Sequence, residues 1–316
     1  MDIPHFTLND GTKMPSVGLG CWMGTPGGAE RVYDMCMAAL KCGYRHLDTA
    51  ALYGNEEYVG RAIRDSGIPR TDIYLTTKLW NTEHHRVKEA FEDSLQKLGV
   101  DYIDLYLLHW PQGKNTLSIA AAGKVLAPEE HPTFIETYKE MEKLLQTGKV
   151  KTIGVSNFSI KTLEVLLPQC SVIPATNQVE LHPCLPQNDL KAYCEARNIL
   201  LTAYSPLGQS TFFMEEPTIK ALAEKLNSTP AQIVLSWAVQ RGTAPIPKSE
   251  DKGRMLANIS LLSLSAEDMA AVDGLHQTPG NHKTLIGLDK NLDGTVFGWT
   301  YERLGWNMGI GGSVLA

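Results

Sequence analysis

Residues 43–57 read GYRHLDTAALYGNEE, and this stretch decides how the chain folds. Gly43 closes an amphipathic run, AERVYDMCMAALKCG, whose apolar residues recur at three and four positions. Such a glycine marks a helix C-terminus. YRHLD then reads as a short buried strand ended by a carboxylate, Asp48, with Tyr53 in the loop beyond. A carboxylate at the end of an apolar strand is costly without a partner. The question is what Asp48 pairs with.

The same unit recurs outward in both directions. Strand-like runs stand at 16–20 (SVGLG), 44–48, 73–78 (IYLTTK), 103–109 (IDLYLLH), 150–156 (VKTIGVS), 175–180 (ATNQVE), 199–205 (ILLTAYS) and 243–248 (TAPIPK). Between them VKEAFEDSLQKLG ends at Gly99 and FIETYKEMEKLLQTG at Gly148. TIKALAEKLN and PAQIVLSWAVQRG precede the last strand, with Pro230 suited to a first helical turn. Eight strand–helix units in about 250 residues predict an α/β fold, a (β/α)8 TIM barrel, with 1–316 as a single domain. A doubly wound open sheet is the alternative and wants a dinucleotide fingerprint. GLGCWMG (18–24) has its third glycine one residue late. The opening HFTLNDGTKMPSVGLG alternates around Asp10-Gly11, a hairpin-turn signal.

A net charge of -6 argues against nucleic acid or an anionic membrane held by bulk charge. The six cysteines (Cys21, Cys36, Cys42, Cys170, Cys184, Cys194) form no CxxC and no zinc spacing with histidine. They read as free thiols in a reducing compartment, and no metal site is expected. MDIPHFTLND lacks the basic and apolar regions of a signal peptide, and SVLA is no organelle address. No apolar run approaches the about 18 residues of a membrane span. The expected location is the cytosol.

Three stretches read as loops: 110–132, 205–217 and the tail from His276. Long loops in compact domains are commonly functional, and these would all lie at the C-terminal mouth of a barrel. Every strand also delivers a polar or aromatic group there. These are Cys21-Trp22, Asp48 with Tyr53, Lys78 with Trp80, His109-Trp110, Ser156-Asn157, Gln178 with Glu180, Tyr204-Ser205, and Lys248-Ser249. Asp48 and Lys78 would end adjacent parallel strands, so they can pair, and a buried ion pair is tolerable where one buried charge is not. Tyr53 would then lie near a lysine cation. That charge is expected to lower the phenol's pKa and poise it to donate a proton. His109 could orient a substrate carbonyl.

Each residue alone has a plainer reading: Asp48 a cap, Tyr53 packing, Lys78 a surface charge, His109 a core histidine. His84-His85 reads as a solvated helix start. The sequence strings carry the set further. GYRHLDTAxxYGNExxVG (43–60), LTTKLW (75–80), DYIDLYLLHWP (101–111), IGVSNF (153–158), NQVELHP (177–183), YSPLG (204–208) and IPKS (246–249) resemble, in order, the aldo-keto reductase superfamily. The aldose reductase-like branch, with fungal sugar and uronate reductases, looks nearest.

That resemblance implies a barrel closed at the bottom by the N-terminal hairpin, with long loops and the C-terminal tail over the mouth. It implies Tyr53, Asp48, Lys78 and His109 as the catalytic set. The cofactor would be NADPH/NADP+, with NADH a weaker alternative. Trp22, Asp48, Ser156, Asn157, Gln178 and Tyr204 would surround its nicotinamide, and Ser205 and Leu207 its pyrophosphate. Lys248, Ser249, Arg254 and Asn258 would take the adenosine end, where a lysine and an arginine fork suit a 2′-phosphate. Glu250 and Asp251 intervene, and Ala257 replaces an acid common among relatives. Both carboxylates would weaken phosphate binding unless turned away.

The implied activity is reduction of an aldehyde to the alcohol, with Tyr53 as proton donor. The substrate would be sugar-derived, such as galacturonate or glucuronate, or glyceraldehyde, and the protein a monomer. Trp22, Tyr53, Trp80, His109, Trp110, Phe297 and Trp299 would line the substrate pocket. Lys114, Lys124, Lys283 and Lys290 are candidates to hold a substrate carboxylate. The other readings are a non-catalytic NADP(H)-sensing barrel and a phosphate-handling isomerase. An isomerase wants glycines after the last strands, and TAPIPKSE offers none.

Overall fold

The computed structural model describes residues 3–115, 123–209, 212–286 and 294–315. Lys290 lies outside them. All eight expected strands form, in one parallel sheet taken in chain order. They are β1 (Leu19–Gly20), β2 (His46–Asp48), β3 (Tyr74–Leu79), β4 (Ile103–Leu108), β5 (Val150–Ser156), β6 (Thr176–Glu180), β7 (Leu200–Tyr204) and β8 (Ala244–Ile246). Helices fill the connections: α1 (Ala29–Cys42), α2 (Glu56–Asp65), α3 (Val87–Leu98), α4 (Phe134–Leu144), α5 (Ile160–Leu166) and α6 (Asn188–Glu195). α7 (Pro217–Lys225) and α8 (Pro230–Gln240) follow β7, and α9 (Lys252–Ile259) and α10 (Ala266–Asp273) follow β8.

The sheet closes on itself between its first and last strands. Gly18 N–H and Gly20 N–H donate to Pro245 O (3.1 Å) and Pro247 O (3.0 Å). The prolines have no N–H, so this seam is carried by their carbonyls accepting from the glycines. A Cβ on Gly18 would stand 2.7 Å from His46 Nδ1, so only glycine permits this approach.

The expected hairpin is present: His5–Thr7 pairs antiparallel with Lys13–Pro15. Its Leu8 and Met14 pack with Leu105, Leu107, Ala175 and Ala244 from inside the barrel. The hairpin therefore plugs the N-terminal end with apolar side chains, and the chemistry is left to the other end.

Gly43 ends α1 in the left-handed region (φ 110) and its N–H bonds Ala39 O and Leu40 O. Gly60, the last letter of the 43–60 motif, has a different task. A Cβ there would lie 1.8 Å from Leu98 O, so this glycine sets how closely α2 packs on the end of α3.

Over the mouth, Lys114–Asn115 pairs with Lys124–Val125, and Thr295–Val296 with Trp299–Thr300. Gln112 Nε2 donates to Val296 O (2.9 Å) and Trp299 Nε1 to Leu126 O (2.7 Å). Loop and tail are thus tied into one rim. His84 departs from its expected solvated place. It is 3% exposed, beneath this loop against Gly113, because the loop folds back over the start of the β3–α3 connection.

Candidate active site

Parallel register puts the polar strand ends at one level. Asp48 is paired with Thr76, so Lys78 stands two residues further toward the mouth on the same face. Its ammonium reaches back to Asp48 Oδ1 (2.5 Å) and to Thr49 O (2.9 Å). Both side chains are almost wholly buried, at 0% and 3% exposure. The other oxygen of Asp48 accepts Gln178 Nε2 at 2.7 Å, from a strand on the far side of the barrel. Charge and lone pairs are satisfied together, as a buried ion pair requires.

Tyr53 follows β2 on the one-turn helix Ala51–Tyr53, and its hydroxyl lies 3.5 Å from Lys78 Nζ. One expectation is corrected here. Burial raises the Tyr53 phenol above its ordinary value, and the nearby Lys78 cation opposes this without outweighing it. The phenol therefore keeps its proton. Burial also pulls on Lys78, but Asp48 and Tyr53 prevail and hold its ammonium above its ordinary value.

His109 sits edge-on to Tyr53, with ring centroids 5.9 Å apart, and to Trp80 at 5.3 Å. Burial first, then the Lys78 charge, hold its imidazole well below the ordinary histidine value, so it is neutral. Its Nδ1 is buried without a protein partner among the described residues.

A ledge of amides runs beside this group. Asn157 Nδ2 donates to His109 O (3.0 Å) and to Ser156 Oγ (3.1 Å), while Ser156 Oγ donates to Gln178 O (2.8 Å). The Tyr204 hydroxyl donates to Asn157 Oδ1 (2.9 Å), fixing its ring at the edge of the ledge. Asn157, Ser205 and Phe297 all have left-handed backbones, with φ 64, 48 and 46. For serine and phenylalanine this is strained, and such strain gathers at functional sites. A cavity of about 390 Å³ touches Asn157 and Tyr204 from behind, lined also by Glu180, His282 and Trp306. Asp48, Tyr53, Lys78 and His109 take no part in it.

The expected walls divide. Trp22 lies 5.0 Å from Tyr53, and Phe297 packs edge-on against Trp80 (5.4 Å) and Trp110 (4.9 Å). Trp299 is placed otherwise. It is 2% exposed, its indole bonded to Leu126 O, and it packs the rim from beneath. Trp306, which the sequence reading did not single out, stands beside Trp110 at 6.0 Å instead. Only the tail's fold decides between two tryptophans seven residues apart.

At the phosphate end Lys248 and Arg254 are exposed, while Ser249 and Asn258 are buried. Asp251 turns away, capping α9 by accepting the Arg254 N–H at 2.8 Å. Glu250 does not turn away. Lys248 Nζ donates to its carboxylate, which Arg31 also grips through Nε (2.9 Å) and Nη2 (2.8 Å). Ser205 and Leu207 are half-buried on the loop after β7. Cys21 is an ordinary packed thiol, 3.8 Å from the Cys36 sulfur.

Chemically, the arrangement offers a protonated phenol, a cation behind it and a neutral imidazole beside it, under an aromatic rim. Residues 16–277 match the model of the Aldo/keto reductase family. The chain belongs to this family. The reductase is 42% identical to the glycerol 2-dehydrogenase (NADP(+)) of Saccharomyces cerevisiae over 88% of this chain and 93% of that one. It is 40% identical to the yeast aldehyde reductase YPR1, over 88% and 92%. A solved Bombyx mori aldo-keto reductase in complex with NADP superposes with a TM-score of 0.82 at 35% identity, covering 93% of the reductase and 98% of that chain.

Proposed function

We propose that this reductase converts a neutral, sugar-derived aldehyde such as glyceraldehyde to its alcohol, using NADPH and Tyr53 as proton donor. One observation carries the reading: a phenol kept protonated by burial, with its hydroxyl 3.5 Å from the Lys78 ammonium. Bound NADPH supplies the hydride. The chain's own residues do the rest. His109, neutral, donates a hydrogen bond to the carbonyl oxygen and aims it at the Tyr53 hydroxyl. Tyr53 gives that oxygen its proton, and the Lys78 ammonium, held by Asp48, stabilises the phenolate left behind. The aromatic rim excludes water.

The donor set fits the cofactor. Ser156, Asn157 and Gln178 offer amide and hydroxyl groups of the kind a carboxamide pairs with, and the Tyr204 ring stands beside them for stacking. Lys248 and Arg254 supply positive charge at the other end, which favours NADPH over NADH.

A neutral aldehyde suits the rim better than a uronate. Of the lysines that could hold a carboxylate, Lys124 is already paired with Glu130. One relative, the yeast aldehyde reductase YPR1, agrees in name with an aldehyde substrate. We take the protein to act as a cytosolic monomer. Among the described residues no helix is long and apolar enough to cross a membrane.

The test is NADPH consumption by the purified chain with glyceraldehyde, xylose, galacturonate, glucuronate and an aromatic aldehyde, each repeated with NADH. Fast glyceraldehyde turnover with weak uronate turnover is expected. A clear uronate preference overturns the substrate assignment. Tight NADP+ binding without any turnover overturns the enzyme reading in favour of a sensor.

A further inference from the structure

The bridge at the phosphate end has a chemistry of its own. Arg31 is the third residue of α1, and Lys248 and Glu250 follow β8. The three side chains therefore span the seam where the barrel closes. Glu250 is the shared partner. Its carboxylate meets a planar fork from Arg31 on both oxygens, and the Lys248 ammonium on one of them.

We propose that Glu250 and Arg31 set the preference between phosphorylated and unphosphorylated cofactors. Glu250 competes with the 2′-phosphate for Lys248, and Arg31 is the positioning residue that keeps a counter-charge on Glu250 when Lys248 is drawn away. The inference rests on the nicotinamide-cofactor reading given above.

A phosphate monoester dianion and a carboxylate make the same claim on one ammonium. The ester approaching Lys248 must also come near the Glu250 charge, which is repulsive. The bidentate hold of Arg31 limits that cost, because Glu250 does not lose its only cation. A cofactor with a 2′-hydroxyl makes no claim on Lys248 and is indifferent to the exchange. Arg31 is 66% exposed and Glu250 33%, so water and salt screen the effect and it is moderate. The burden of Glu250 is further marked by its acidity. Arg31 first and then Lys248 hold its carboxyl down to about 2, so it is charged near neutral pH.

The experiment measures dissociation constants of NADP+ and NAD+ for the full chain by quenching of tryptophan fluorescence, at fixed ionic strength. Glu250→Gln should tighten NADP+ by about tenfold and change NAD+ by less than about twofold. Arg31→Met should weaken NADP+ and leave NAD+ alone. The double variant should match Glu250→Gln, since Arg31 acts only through Glu250. Unchanged or weaker NADP+ binding in Glu250→Gln overturns the proposal. So does an Arg31→Met loss that persists in the double variant, since Arg31 would then touch the phosphate itself. If the unsubstituted protein binds neither dinucleotide, the cofactor reading fails. If it binds both and the variants do not shift, this inference alone fails.

Discussion

Asp48 and Lys78, on neighbouring strands, meet at 2.5 Å with neither side chain in contact with bulk water. Removing one member leaves the other as an unpaired buried charge. Lys78→Met should therefore cost about 3–5 kcal/mol of stability and abolish turnover. Asp48→Asn/Lys78→Met together should unfold less readily than Lys78→Met alone. Denaturant melts of the parent, Asp48→Asn, Lys78→Met and the double variant check this, and additive losses would mean the pair is not coupled.

Tyr53→Phe removes one hydroxyl and leaves the ring in place. Turnover should fall by at least about 100-fold, the range for a lost general acid, while NADP+ binding persists. Because burial raises the phenol above its ordinary value, Tyr53 in the free protein should ionise only beyond about pH 10. Difference ultraviolet titration of the parent against Tyr53→Phe reads this directly. A tyrosinate appearing near neutral pH would show that Lys78 outweighs burial.

Gly60 lies far from the chemistry, yet it belongs to the same motif as Asp48 and Tyr53. Its missing Cβ would fall 1.8 Å from Leu98 O, which is backbone and unable to swing aside. Gly60→Ala should lower stability by about 3 kcal/mol or more through overpacking. Gly148→Ala, where nothing lies within 4 Å, meets only backbone strain and should cost less. Equal losses would put the close α2–α3 approach in doubt.

His46 carries a pH dependence. Burial pushes its imidazole from 6.5 down to about 4, against the partial pull of Asp48 and Asp104. It is neutral when folded and takes up a proton more readily when unfolded. Stability from this group is thus complete above pH 6.5 and is lost as pH falls toward 4, by about 3 kcal/mol at most. His46→Gln keeps a partner for Thr76, which His46 Nε2 contacts at 2.9 Å. Melts between pH 4 and 7 should be flatter for the variant than for the parent; parallel curves would refute the assignment.

The rim offers a contrast between two tail aromatics. Phe297 is 39% exposed against Trp80 and Trp110, whereas Trp299 is buried. Phe297→Ala should raise KM for an aromatic aldehyde by about tenfold with little change in melting temperature, as expected of lost apolar contact. Trp299→Ala should instead cost about 3–5 kcal/mol of stability. The reverse pattern would place Trp299 in the pocket.

Much of this was legible in one dimension. Strand and helix periods, the glycines at 43, 99 and 148, and the polar residue ending each strand are local features. In a parallel barrel, local order alone brings strand ends to one mouth, so Asp48, Tyr53, Lys78 and His109 could be gathered from the sequence. The hairpin was legible from the alternation about Asp10-Gly11, while its place at the bottom of the barrel was implied only by the family resemblance. What only the tertiary structure decided are quantities set by distant partners. The Gln178 hold on Asp48 joins residues 130 apart, and the Arg31 hold on Glu250 joins residues 219 apart. The direction of the Tyr53 shift, the burial of His84 and the exchange of Trp306 for Trp299 depend on how much solvent the folded loops and tail exclude. Burial and charge pairing are sums over neighbours in space, and a strand-by-strand reading fixes where a side chain starts but not what closes around it.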